Sequence, residues 1–263
     1  MTTTPDFAEL LRLIGERSTA FRAAVASAPD LDVPVPSCPE WTLFELVRHL
    51  GSGDGFWAAI VGAGPAEAPP AEAVAARAAV AAPREREALV AWLEESTGQL
   101  LGALREAGPE RGCWTWWGAS QSPRSSGAVA RHRVQETAVH LYDVQLALGA
   151  PQPLPAEVAL DGVEEFLTTC CATTSPWPHK PTAFDFHATA EGAAEGRSWR
   201  LTVDGDGARA ARIQAPDDSA GAAVHGTAGE LVLYLYDRLP AESLRIEGDA
   251  GLFDLLRAWE PEA

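Results

Sequence analysis

Through the first half of the chain, hydrophobic positions recur at the spacing of helices. Phe7, Leu10, Leu11, Ile14, Phe21 and Val25 share one face from about Pro5 to Ala28, and the proline-rich stretch Leu31 to Pro39 then breaks the pattern. Thr42 and Glu45 have the spacing of a capping box, in which each side chain satisfies a backbone N–H at the start of a helix, and Trp41 with Leu46 has the spacing of a hydrophobic staple. The helix they open carries His49. Residues 62–82 are rich in alanine, glycine and proline without a clear period, which predicts a loop with room for a short helix. Leu89, Trp92, Leu93, Leu100 and Leu104 predict a further helix from about Pro83 to Ala107. The aromatic and then Ser/Pro-rich segment Gly112 to Gly127 predicts a loop gathering Trp114, Trp116 and Trp117. A fourth long helix follows from about Ser126 to Leu148, with Gly149 as its stop signal. Four such helices predict a bundle.

After Pro151 the period changes. A helix from about Pro155 to Thr169 precedes Phe184, Phe186, Ala188 and Ala190, which alternate with Asp185, His187 and Thr189 as in a strand. Trp199, Leu201 and Val203 alternate likewise, and the turn Asp204-Gly205-Asp206-Gly207 sends the chain back through Ala211 and Ile213. Thr227 and Glu230 repeat the capping-box spacing for a helix reaching about Leu239; Leu244 to Ile246 predicts a strand, and Asp249 a cap for a last helix. The expected fold class is therefore α+β: a four-helix bundle over residues 1–150 and a smaller α+β domain with an antiparallel sheet over residues 151–263.

Composition narrows the partners. With 46% hydrophobic and 22% charged residues, the chain fits neither a disordered nor a membrane protein, and no apolar run approaches the roughly 20 residues of a membrane span. The net charge is −17, and Lys180 is the single lysine, which argues against nucleic acid and anionic membrane surfaces as partners. It leaves an anionic small molecule open, because a few local arginines can hold a carboxylate. Cys38, Cys113, Cys170 and Cys171 form no CxxC pair and are expected as buried thiols. The opening MTTTPDFAELLRLIGERS has no apolar signal core, so a reducing cytoplasm is expected.

Of the six histidines, two sit on helices beside chemically meaningful neighbours. Glu136 and His140 are four residues apart and share one face of the fourth long helix, with Cβ atoms roughly 5–6 Å apart. His49 falls within the arc of Leu46, Phe56 and Ile60, which points it into a bundle. Two imidazoles and one carboxylate, with positions left for water or substrate, is the composition of a catalytic zinc or similar divalent site. The spacing permits that site without demanding it. A Glu–His pair at this spacing also occurs as a surface contact, a histidine in an apolar arc also occurs as a satisfied core residue, and ExxxH is not the HExxH of metalloproteases.

Two segments carry a family resemblance: Ser37-Cys38-Pro39-Glu40-Trp41-Thr42 running into Leu46-Val47-Arg48-His49-Leu50, and Glu136-Thr137-Ala138-Val139-His140-Leu141-Tyr142-Asp143. They resemble the mycothiol-dependent maleylpyruvate isomerase family of actinobacterial proteins, and Gly226 to Arg238 and Glu247-Gly248-Asp249 resemble its C-terminal pattern. The resemblance implies a DinB-like metal-binding bundle joined to a smaller α+β domain. His49, Glu136 and His140 match the metal ligands, for zinc or a related divalent ion, and Arg238 matches an arginine implicated in catalysis. The chain departs from the family in having Gln135 before the ligand glutamate and Leu141-Tyr142-Asp143 after the ligand histidine, changes that bear on the reaction more than on the metal. Asp143 is then a candidate acceptor for a ligand imidazole, and Arg133, three residues before Glu136, a candidate ion-pair partner.

What the resemblance implies is an enzyme that uses mycothiol as a thiol cosubstrate and a small electrophile as substrate. Addition of a metal-stabilised thiolate to a cis double bond permits rotation before elimination regenerates the thiol; in an S-transferase the adduct is released instead. In that scheme Arg238 binds a substrate carboxylate or a developing enolate. Two other readings stay open: a metal-dependent, hydrolase-like enzyme of the same scaffold without mycothiol, and a non-catalytic small-molecule binding protein.

Overall fold

A computed structural model describes residues 4–190, 196–214 and 219–259. The first three residues of the opening stretch lie outside them. The chain divides into two compact units, one comprising residues 1–115 and 124–153 and the other residues 116–123 and 154–263.

The first unit is built on four long helices: α1 (Phe7–Ser27), α2 (Leu43–Ala63), α4 (Arg86–Ala107) and α5 (Ser126–Ala147), with a short α3 (Ala71–Ala78) inside the alanine-rich stretch. A two-stranded antiparallel ribbon, β1 (Pro34–Val35) and β2 (Cys38–Thr42), leads into α2. Each long helix starts where a side chain can accept from its free N–H groups. Asp6 accepts from Glu9 N, Thr42 and Glu45 form a full capping box, Glu85 accepts from Ala88 N, and Ser125 caps α5. The apolar faces of α1, α2 and α4 meet α5 around Phe21, Val25, Leu43, Leu46, Val47, Leu50, Leu89, Leu93 and Val144, all essentially inaccessible to solvent. Trp41 packs on the edge of this core. Helix α5 is buried on most of its circumference, its polar residues His132, Arg133, Gln135, His140 and Asp143 included. Those polar groups need partners inside the bundle.

The second unit holds α6 (Ala156–Phe166), which runs into a π-helical turn over Leu167–Cys171, and a five-stranded sheet. Its strands are β3 (Thr182–Ala188), β4 (Arg197–Asp204), β5 (Gly207–Ile213), β6 (Ala222–Gly226) and β7 (Arg245–Gly248), in the order β5-β4-β3-β6-β7. The expected hairpin is present: Asp204 pairs with Gly207, whose φ of 113° is one that glycine adopts without strain. The sheet is mixed rather than wholly antiparallel, because β3 and β6 run parallel. Alternation along a strand sets which face is buried but not the direction of its neighbour. Both faces of the central strand β3 are covered, since Asp185 and His187 are buried as well as Phe184 and Phe186. Asp185 accepts two bonds from Arg200, its cross-strand partner on β4, at 2.7 and 2.8 Å, and His187 Nδ1 lies 2.8 Å from Ser198 Oγ.

Helix α7 (Ala228–Leu235) begins at the second capping box, Thr227 and Glu230. It ends before the expected Leu239 because Asp237 takes a φ of 60°. The Arg238 N–H then bonds Leu233 O at 2.7 Å and the Asp237 N–H bonds Tyr234 O at 3.1 Å, a Schellman closure that uses the last free carbonyls. The 8-residue α8 (Gly251–Ala258) follows β7, with Asp249 accepting from Gly251 N at 3.0 Å.

The tryptophans of the 112–127 segment separate. Trp114 stacks against Trp57 at 6.2 Å, whereas Trp116 and Trp117 pack edge to face at 5.2 Å within the second unit. None of the four cysteines, all among the described residues, is in a disulfide, and Cys113 alone is buried; Cys38, Cys170 and Cys171 are half-buried, which corrects the expectation of four buried thiols. No helix among the described residues is long and apolar enough to cross a membrane.

Candidate metal centre

His49 on α2 and Glu136 and His140 on α5 converge inside the first unit. Each offers one donor atom, and the three donors lie within 4.8 Å of one another. Glu136 Oε2 is 3.6 Å from His49 Nε2 and 3.9 Å from His140 Nε2, and the two imidazoles meet edge to face at 5.1 Å between centroids. Two donors bound to one tetrahedral zinc at about 2.0–2.1 Å stand roughly 3.4 Å apart, so these separations and this donor chemistry fit a divalent ion. Such an ion would be held by His49 Nε2, His140 Nε2 and a Glu136 carboxylate oxygen.

The orientation of each donor has a structural cause. Asp143, one turn beyond His140 and fully buried, places Oδ2 2.8 Å from His140 Nδ1; its other oxygen accepts from Ser37 Oγ at 2.6 Å. A carboxylate at Nδ1 keeps the proton there and leaves Nε2 as a lone-pair donor toward Glu136. Glu136 is held from the other side by Arg133, whose Nη1 donates to Oε2 at 3.2 Å. Arg133 is fully buried, and its Nη2 donates at 2.8 Å to Asp54 on α2, which also accepts from Thr97 on α4 at 2.9 Å. The indole of Trp41 lies 4.8 Å from the His49 ring. Gly53 keeps this arginine channel open, since a Cβ there would stand 3.3 Å from Arg133 Nη1.

Electrostatics favour donor forms. Burial pushes the His49 imidazole below the usual histidine range, against the pull of Glu136, so it stays neutral. Burial alone would raise Glu136, but His49, His140 and Arg133 together hold its carboxyl well below the usual range. In both cases the folded protein gives up a proton that the unfolded chain would keep. The metal-free protein is therefore expected to lose stability as pH falls from about 6.5, through His49 first and Glu136 at lower pH. Urea midpoints of metal-free protein, measured from neutral to mildly acidic pH, should fall steadily; a rise on acidification contradicts the assignment. Replacing Asp143 by alanine is expected to weaken zinc binding by about 10–100-fold while leaving the bundle folded, read by competition with a chelator of known affinity.

Asp54 and Thr97 were not among the residues singled out by sequence, and Ser37 was named only as the first residue of a family motif, with no role. Asp54 had a signal of its own, a lone acid within the apolar run Gly51 to Val61, but Thr97 had none, and nothing in the motif links Ser37 to Asp143. Arg238 lies past the end of α7, with Nη1 donating to Tyr236 O at 2.6 Å.

A four-helix bundle carrying a two-histidine, one-carboxylate centre, followed by a separate α+β unit, defines the class of protein. Residues 11–145 match the family described as the mycothiol maleylpyruvate isomerase N-terminal domain, and residues 157–255 match its C-terminal domain. The chain belongs to the mycothiol-dependent maleylpyruvate isomerase family and is an enzyme of that kind. Among solved structures it is similar to the mycothiol-dependent maleylpyruvate isomerase, at 15% identity and a TM-score of 0.55, with 95% of this chain and 98% of that one covered. A histidine-to-alanine mutant of that isomerase aligns over the same shares at 15% identity, with a TM-score of 0.56. No curated protein matches the chain.

Proposed function

We propose that the chain is a divalent-metal-dependent, mycothiol-using isomerase or S-transferase acting on a small electrophile, with maleylpyruvate as the first substrate to test. The observation that carries this reading is the convergence of His49, Glu136 and His140, with Asp143 fixing the donor nitrogen of His140. A zinc ion held there supplies positive charge that favours a thiolate over a thiol near neutral pH. The chain's own residues set up that chemistry. His49 offers a neutral imidazole, His140 offers the ring nitrogen that Asp143 leaves facing Glu136, Arg133 keeps Glu136 ionised and in place, and Trp41 walls one side of His49. Arg238 is assigned, from the family resemblance, to an anionic group of the substrate. Its replacement by glutamine should lower turnover and leave zinc content unchanged.

The test is turnover of maleylpyruvate by zinc-loaded protein with and without mycothiol. Turnover that needs the thiol supports the reading. Equal turnover without it overturns thiol use and favours the hydrolase-like alternative, and absence of both turnover and stoichiometric zinc favours a binding protein.

A further inference from the structure

A pocket of about 300 Å³ opens beside the candidate metal centre, lined by Trp41, Glu45, Arg48, His49 and Arg77 among others. His49 therefore belongs both to the metal-ligand cluster and to the wall of this pocket. Glu45 puts one negative charge on the lining, held to the α2 cap where its carboxylate accepts from Thr42 N at 3.0 Å and from the Thr42 hydroxyl, against the two arginines. The two arginines are differently placed. Among the described residues neither Arg48 nor Arg77 makes a hydrogen bond or an ion pair, although acidic residues outnumber basic ones by 37 to 20 in the chain. Arg77 rests with its guanidinium carbon 5.0 Å from the centroid of Phe56, a contact that needs no acceptor for its N–H groups.

We infer that Arg48 and Arg77 form the subsite that holds a carboxylate of the small-molecule substrate beside His49. The inference rests on the reading of His49, Glu136 and His140 as the active centre. A guanidinium presents paired N–H donors that match a carboxylate in width, and two of them lining one pocket select an anionic electrophile over a neutral one of the same shape. The carboxylate end is thereby fixed, and the rest of the molecule is placed near the histidine.

The experiment is calorimetric titration of the zinc-loaded chain with maleate, a simple cis-enedicarboxylate, and with its uncharged dimethyl ester. It compares the wild type with Arg48→Gln, Arg77→Gln and the double variant. Both arginines are exposed, and thermal melts should match the wild type. The double variant is expected to weaken maleate binding by about tenfold or more, the usual worth of a hydrogen bond to a charged group, without changing ester binding. In turnover, KM for an anionic substrate should rise more than kcat falls. Maleate affinity unchanged in the double variant overturns the inference. Zinc analysis of the same samples separates the two readings. Zinc bound with arginine-independent maleate binding sinks the subsite alone, whereas arginine-dependent maleate binding by a chain that takes up no zinc supports the subsite and sinks the metal centre.

Discussion

Replacing His140 by alanine is expected to reduce bound zinc from about one ion per chain to a small fraction and to abolish thiol-dependent turnover. The imidazole is one of three donors within 4.8 Å of one another, and its loss leaves one histidine and one carboxylate. Two donors do not hold zinc in competition with water and buffer, so the loss in affinity should exceed the about 10–100-fold expected for removing an outer partner such as Asp143. It also leaves the Asp143 carboxylate buried without its imidazole, though still bonded to Ser37 at 2.6 Å. Metal analysis after dialysis, beside a circular dichroism spectrum, checks both halves. A folded variant that retains full zinc removes His140 from the ligand set.

The second large effect concerns stability rather than metal. Arg133 and Asp54 form an ion pair at 2.8 Å with both side chains only 2% exposed. Alanine at position 54 would leave a guanidinium inside the bundle with Glu136, at 3.2 Å, as its remaining carboxylate. Removing one partner of a buried pair costs about 3–5 kcal/mol, because the other charge stays desolvated. That is a large part of the stability of an ordinary domain, so Asp54→Ala should lower the urea midpoint sharply or prevent folding. Asp54→Asn keeps an acceptor for Arg133 and should lie between the two. Asp54→Ala with the midpoint of the wild type would show that the pair is not holding α2 to α5.

The string made the helices legible because their start signals are local. The boxes Thr42–Glu45 and Thr227–Glu230 act over three residues, and both form as expected. His49, Glu136 and His140 were legible for a related reason: period places two of them on one face, and an apolar arc turns the third inward. What was not legible depends on distant pairing. Ser37 reaches Asp143 across 106 residues and Arg133 reaches Asp54 across 79, and no spacing rule links such positions. The parallel pairing of β3 with β6 is of the same kind. The early end of α7 has a different cause, since the apolar pattern continues to Leu239 while Asp237 adopts the left-handed backbone that closes the helix. Of the pocket's arginines, Arg48 was named only within a family motif, and Arg77 escaped notice because it lies in a stretch without period, folded as an 8-residue helix.

The central claim is that His49, Glu136 and His140 hold a metal on which thiol-assisted turnover depends. It is tested most directly by following mycothiol-dependent maleylpyruvate turnover in one sample before chelation, after chelation with metal removal verified, and after zinc is restored. The account predicts full turnover, near-complete loss and recovery at about one zinc per chain. Turnover unchanged in verified metal-free protein would contradict it.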